Sequence, residues 1–252
     1  MVYRTITSTK NEFVKYAKSL KLKKGRNEHG AFLVEGEKCV RELISFMPQN
    51  VQNVIVVENR FDDIVKLAQE IGKQIYFVKD SVMSAICDCK TPQGIAAIAI
   101  IPSYSEVLTG FILMLDDLQD PQNVGTIIRT ADAAGCSCVV LSKKCADCFS
   151  PKAVRASMGS LFHMPIISAD LNGYIQKLIA RGYDVVSSHL AGETKYNVAW
   201  EKTCLIIGNE SRGVSEKITK MSTKLIKIPM YGKAESLNAA VAAGILIYKI
   251  RT

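Results

Sequence analysis

Three short segments in the second half of this 252-residue chain place polar and charged side chains in otherwise apolar company. "DPQNVGTIIRTADAAG" offers Asn123, expected as a helix cap, and Arg129 a turn and a half further along, among Ile127, Ile128, Thr130 and Ala131. A guanidinium placed there needs a partner, either a structural carboxylate or a bound anion. "GNESRGVS" carries Glu210 in a glycine-bounded turn that can bring backbone close to a ligand. Its glycine spacing is that of a phosphate-binding loop, but Val214 stands where such a loop requires lysine, which excludes nucleoside triphosphate hydrolysis. "IPMYGKAESLNAAVAAGILIY" puts Ser236 and Asn238 at the head of a helix whose Leu237, Ala240, Val241, Ala243, Ile245, Leu246 and Ile247 cover every direction. Such a helix reads as buried, so the two polar side chains must be hydrogen-bonded, as plain caps or against a ligand. The chain contains no Gly-x-Gly, which removes the dinucleotide fingerprint.

The elements that carry these segments follow from the rhythm of the chain. Residues 31–100 alternate short apolar runs, "AFLVEG", "NVIVVE", "QIYFV" and "GIAAIAI", with helix-period runs, "EKCVRELISFM" and "DDIVKLAQEIG". At Ile101 the texture changes to "PSYSEVLTG", which reads as a linker. A second unit then runs through "FILMLDD", the helix "VGTIIRTADAA" closed by Gly135, "CVVLS", "SPKAVRASMGS", "LNGYIQKLIARG", "YDVVSSH", "KTCLIIGNE" and "KLIKIP". The expected organisation is an α/β fold in two domains, residues 1–101 and 111–252, joined by residues 102–110. In open α/β sheets ligands gather at the carboxyl ends of strands, so the loops after "FILMLDD", "CLII" and "KLIKIP" are where chemistry belongs.

Composition narrows the partners. Hydrophobic residues make up 48% and charged residues 22%, as in a soluble globular protein. The longest apolar runs are too short to span a bilayer and the first residues lack the apolar block of a secretory signal, so the expected location is the cytoplasm. The eight cysteines are then expected as thiols. A net charge of +8 points to an acidic partner, nucleic acid ahead of anionic membrane. Lys10, Lys15, Lys18, Lys21, Lys23, Lys24 and Arg26 crowd one expected helical segment, either a phosphate-contacting face or a merely solvated one. No metal site is expected: Cys87/Cys89, Cys136/Cys138 and Cys145/Cys148 lack completing pairs, and His29, His163 and His189 are scattered.

Read together, "DPQNVGTIIRTADAAG", "LIIGNESRGVS" and "IPMYGKAESLNAAVAAGI" resemble, in order and spacing, the three signature motifs of the SpoU-type RNA ribose methyltransferases of the SPOUT superfamily. "SPKAVRASMGSLFHMP" is similar to the family's segment between the first two motifs. "NEHGAFLVEGEKCVRELI" resembles the small RNA-binding domain that precedes the catalytic domain in rRNA-modifying members. The resemblance implies a parallel-sheet catalytic domain whose C-terminal part forms a deep trefoil knot, and a homodimer with the site near the subunit interface. It implies S-adenosylmethionine as methyl donor, held largely by backbone of Ile207, Gly208, Ile228, Met230, Ser236, Leu237 and Ala239. It assigns Asn123, Arg129, Glu210, Ser236 and Asn238 to the reaction centre, where a ribose 2′-oxygen attacks the donor methyl in line. A guanidinium makes an awkward base, so Arg129 is expected to bind the target phosphate and stabilise the developing oxyanion. The implied substrate is large-subunit (23S) rRNA, with no DNA and no membrane partner. The same chemistry on tRNA and a non-catalytic RNA-binding module are the alternatives.

Overall fold

The computed structural model describes residues 3–194 and 197–251. In chain order the first half forms β1 (Tyr3–Ile6), α1 (Glu12–Ser19), α2 (Lys23–His29), β2 (Ala31–Glu35), α3 (Glu37–Phe46), β3 (Val51–Val57), α4 (Asp62–Glu70), β4 (Gln74–Val78), α5 (Asp80–Ile86) and β5 (Ile95–Ile100). The second half forms β6 (Ile112–Leu115), α6 (Pro121–Ala134), β7 (Cys138–Ser142), α7 (Pro151–Ser157), β8 (Ile166–Ala169), α8 (Leu171–Ile179), β9 (Asp184–Glu193), β10 (Thr203–Ile207), α9 (Glu216–Met221), β11 (Lys224–Ile226) and α10 (Ala239–Arg251). Of these, β1, α5, β8 and α9 are absent from the sequence reading. All are short, four to seven residues, and too brief to display a period.

The chain divides into two compact units, one built from the described residues up to Pro102 together with Asp147–His163, the other from Ser103–Ala146 and Met164 onward. In the first, the described strands form a sheet of order β1-β4-β3-β5-β2, in which β1, β4 and β3 run parallel while β5 is antiparallel to both its neighbours. Ala31, Leu33, Ile55, Ile98, Val14, Leu20 and Met83 fill its core.

The basic stretch departs from expectation. Residues 10–26 do not make one helix: the chain breaks after Ser19 and restarts at Lys23. Arg26 is buried, donating to the carbonyls of Leu20 and Lys21 and pairing with Asp147 at 2.7 Å. Lys21 donates to the carbonyls of Ala85 and Cys87. Both cations are therefore used inside the unit, where a buried charge is tolerated only with such partners. Lys10, Lys15, Lys18, Lys23 and Lys24 remain exposed.

In the second unit the strands run in the order β11-β9-β10-β6-β7-β8, every pairing parallel. Parallel sheets are covered on both faces, which explains why β6 and β10 are buried along their whole length. From β6 the chain proceeds to β7 and β8 on one side, then returns to fill β9 and β10 on the other. The adjacent carboxyl ends of β6 and β10 thus mark the topological switch point, the place where such sheets hold ligands. After β10 the chain adds β11 at the edge and sends α10 back to pack against α6. That helix is not buried all round, as its composition suggested. Ala239, Ala240, Ala243, Leu246, Ile247 and Ile250 are covered, while Val241, Ile245 and Tyr248 form an exposed stripe, 40–52% accessible, at helical spacing.

Candidate active site

The first loop is set by the start of α6. Asp120, not Asn123, is the cap: its carboxylate accepts from the Gln122 N–H at 3.0 Å, Pro121 takes the first helical position, and Gly135 ends the helix with φ of 76°. The sequence favoured Asn123 because asparagine is also a good cap, but Pro121 anchors the helix two residues earlier. Asn123 instead lies within the first turn, buried, with both ends of its amide engaged. Its Nδ2 donates to Glu210 Oε1 at 3.2 Å and its Oδ1 accepts from Asn238 Nδ2 at 3.0 Å.

The second loop is a tight turn clasped by Asn209 and Gly213, whose backbones exchange hydrogen bonds of 3.0 and 2.9 Å. The Asn209 side chain reinforces it, accepting from the N–H groups of Ser211 and Arg212 and donating to the Asp117 carbonyl at 2.8 Å. Glu210 at the tip reaches the amino end of α6. Its carboxylate accepts from the N–H groups of Gln119 and Asp120 at 3.1 to 3.3 Å as well as from Asn123. A negative charge there also meets the positive end of the helix dipole. Burial alone would raise this carboxyl, but hydrogen bonds from its own N–H, from Asp120 and Gln119, and from Asn123 outweigh burial and hold it below the usual glutamate range. Glu210 is consequently an anionic clamp and a poor proton acceptor.

A folded-state value that is lowered stabilises the fold above the unfolded value, and that stabilisation is lost as pH falls through the folded value. Glu210→Gln is thus expected to melt below wild type near neutral pH. The gap should close as pH drops through the carboxylate range, as checked by melting curves across pH.

The third loop joins the other two through Asn238. Its Oδ1 accepts from the N–H groups of Ala240 and Val241, capping α10, while its Nδ2 holds Asn123. Glu210, Asn123, Asn238 and the start of α10 form one continuous polar chain. Asn238→Ala should cost about 1–3 kcal/mol through the lost cap and the buried Asn123 oxygen left unpaired. Asn238→Asp keeps the cap but cannot donate to Asn123, so thermal melts of the two variants separate these contributions.

The remaining expected residues stand as follows. Ile207 ends β10 and is buried, Gly208 follows it, and Ala239 opens α10. Ile228, Met230, Ser236 and Leu237 lie on residues 228–238, which take neither helix nor strand, so their peptide groups are not committed to a ladder. Met230 and Leu237 are exposed at 37% and 36%. Residues 228–238 thus combine uncommitted backbone with exposed apolar side chains, and Gly208 packs directly onto the backbone of Gly213 and Val214. Arg129 is exposed on α6 and, among the described residues, makes no hydrogen bond or ion pair, so its guanidinium is available to an anion. Ser236 is exposed as well, and neither residue is tied into the chain of amides.

Supporting residues escaped the sequence reading. Asp116 accepts from the Ser215 N–H at 2.8 Å, fixing the second loop to the end of β6. Asp117, with φ of 59°, exchanges hydrogen bonds with Ser142, its N–H donating to Oγ at 3.0 Å and its Oδ1 accepting at 2.8 Å. The signal was the paired aspartate after an apolar strand in "FILMLDD". Their partners, Ser215 at the head of α9 and Ser142 at the end of β7, carry no local mark.

Comparison with known proteins meets the same three loops. A model of the SpoU rRNA Methylase family matches residues 110–248, and a model of the MRM3-like substrate binding domain matches residues 11–97. The chain is similar to the 23S rRNA (guanosine(2553)-2'-O)-methyltransferase RlmP of Bacillus subtilis, 38% identical over 98% of this chain and 99% of that one. The AdoMet-bound rRNA methyltransferase of Sinorhizobium meliloti superposes with a TM-score of 0.88 at 32% identity, covering 99% of this chain and 97% of that one. The SpoU methyltransferase AviRb of Streptomyces viridochromogenes gives a TM-score of 0.82 at 26% identity over 96% of each chain. With the family model spanning the whole switch-point site and a relative matching from end to end, this chain belongs to the SpoU rRNA methylase family.

Proposed function

We propose that the protein transfers a methyl group from S-adenosylmethionine to a ribose 2′-oxygen of large-subunit (23S) rRNA. The observation that carries this reading is the polar chain Glu210–Asn123–Asn238, which links the three family motifs at the switch point of the parallel sheet. Family membership and the 23S rRNA specificity named for the Bacillus subtilis relative support the substrate, and the AdoMet-bound Sinorhizobium meliloti structure supports the donor.

Each residue then has a physical task. When bound, S-adenosylmethionine supplies a methyl on a positively charged sulfur, activated for in-line displacement. The backbone of Ile207, Gly208, Ile228, Met230, Ser236, Leu237 and Ala239 receives it. Glu210 remains ionised and keeps the second loop on α6, which fixes the distance between donor and acceptor sites. Asn123 and Asn238 transmit that position to the third loop. Arg129 engages the phosphate beside the target ribose and stabilises negative charge as the hydroxyl loses its proton. Ser236 completes the reaction centre beside Asn238. Residues 1–101 deliver RNA, the exposed lysines of α1 and α2 contributing salt-sensitive phosphate contacts, and residues 111–252 carry the chemistry. The C-terminal part of the chain is threaded as a trefoil knot, and the protein works in the cytoplasm. No helix among the described residues is long and apolar enough to cross a membrane.

The same reading makes the protein a homodimer. The exposed stripe of Val241, Ile245 and Tyr248 on α10 is what a partner subunit would cover. Val241→Asp together with Ile245→Asp should convert the dimer to a monomer by light scattering, with activity falling in parallel.

The deciding experiment incubates the protein with labelled S-adenosylmethionine and unmodified large-subunit rRNA, small-subunit rRNA and bulk tRNA, then maps alkali-resistant 2′-O-methyl sites. One resistant site in large-subunit rRNA is the expected result. Label in tRNA alone would overturn the substrate, and absence of donor binding by calorimetry would leave an RNA-binding module.

A further inference from the structure

Cys87 and Cys89 take no part in the chemistry above, and spacing alone left them without completing ligands. Within the first unit the fold supplies one. Glu35 closes β2, Cys87 caps the C-terminal end of α5, and Cys89 follows on the loop toward β5. One carboxylate oxygen and the two Sγ atoms all lie within 4.8 Å of one another. The loop is wrapped onto the carboxylate: the Asp88 N–H donates to Oε1 at 2.6 Å and the Cys89 N–H to Oε2 at 3.3 Å. Arg155 Nη1 donates to Oε2 at 2.9 Å, and Glu35 itself is 4% exposed. Neither Cys87 nor Cys89 is in a disulfide.

We propose that Cys87, Cys89 and Glu35 form a binding site for a zinc-class divalent cation, held by two thiolates and one carboxylate, with water in the fourth position. Tetrahedral ligands about 2.0–2.3 Å from the metal stand roughly 3.3–3.8 Å apart, so atoms already within 4.8 Å of one another need approach by at most about 1.5 Å. Thiolates select borderline and soft cations over magnesium or calcium. Cys89, half-buried, gives the ion access from solvent.

Binding leaves the net charge of the site unchanged. Without metal, the thiols are neutral and Glu35 and Asp88 both face Arg155, leaving one negative charge. With metal, the two thiolates add two negative charges, which the cation cancels. Arg155 also fixes the carboxylate from outside and is itself held by Asp88 at 2.8 Å, the orienting contact that ligands of protein metals ordinarily have. Two thiol protons leave to solvent for each ion bound. Because the cysteines bind the ion only as thiolates, affinity should rise with pH. The bound ion would staple β2 to the loop after α5 in the unit matched by the substrate binding domain model.

The test titrates the reduced, chelator-stripped full chain with cadmium. The expected result is one ion per chain, an ultraviolet thiolate-to-cadmium charge-transfer band, two protons released and a higher melting temperature. Cys89→Ser should weaken cadmium binding at least roughly tenfold and abolish the thermal shift. Cys136→Ser, in the other unit, should keep both. Because Cys87 is buried and its replacement can unfold the first unit, the Cys89 position decides. Cys89→His, which restores a nitrogen ligand, should retain zinc binding by calorimetry where Cys89→Ser does not. No charge-transfer band, or a band that Cys89→Ser leaves intact, would overturn the site.

Discussion

Arg129→Lys is expected to lower kcat for methyl transfer by roughly two to three orders of magnitude, the usual cost of losing one preorganised donor at a developing oxyanion. The melting temperature should stay within about 2 °C of wild type, because an exposed substitution without packing or pairing partners changes stability by no more than about 0.5 kcal/mol. The two numbers must be read together. Arg129 lies exposed on α6 with no protein partner among the described residues, so a structural role predicts no loss of rate, whereas a role on RNA predicts loss of rate alone. Lysine preserves the charge and removes the planar fork that grips a phosphate through two parallel hydrogen bonds. Single-turnover kinetics with saturating donor and RNA, beside a thermal melt, measure both. Turnover close to wild type would remove Arg129 from the reaction centre.

Gly208→Ala should be the more damaging change to the protein itself. A Cβ at position 208 would sit 2.0 Å from the Val214 nitrogen and 2.1 Å from the Gly213 carbonyl carbon, both backbone atoms that no side-chain rotation can move. Accommodating it requires opening the turn clasped by Asn209 and Gly213, and the turn carries Glu210 away from the amino end of α6 as it opens. The expected cost is about 1–3 kcal/mol, typical of forced overpacking. Donor affinity should fall more than a hundredfold if, as proposed, the same loop supplies the backbone that receives S-adenosylmethionine. Calorimetry with S-adenosylmethionine and a denaturant midpoint test the two effects separately. Wild-type affinity in a folded Gly208→Ala protein would mean the donor is held elsewhere.

Both expectations rest on the way three loops, far apart in sequence, meet at one end of a sheet. The alternation of apolar runs with helix-period runs was legible, because burial of a strand or of one helix face leaves a periodic mark on the residues themselves. The loops that depart from that alternation were legible too, as polar groups in apolar surroundings. Capping was only half legible. Asp120 and Asn123 are both good caps, and the choice fell to the proline between them.

What the sequence by itself determined is the longer elements, the class of fold and the three loop segments that set polar groups in apolar company, since each is written in local order and spacing. Only the tertiary structure decided which polar groups meet. Glu210 finds Asn123 across 87 positions and Asn238 finds Asn123 across 115, pairings that depend on β10 lying beside β6 and on α10 returning to α6. The same holds for Arg26 and Lys21, withdrawn from the basic surface by partners elsewhere in their unit, and for Glu35, which β2 brings to Cys87 and Cys89 at the end of α5. Local composition also hid the exposed stripe of α10, because an apolar residue looks the same in the sequence whether it faces a core or solvent. Hydrophobic periodicity is a property of one segment, whereas a hydrogen bond between distant side chains depends on the order and register of the strands between them.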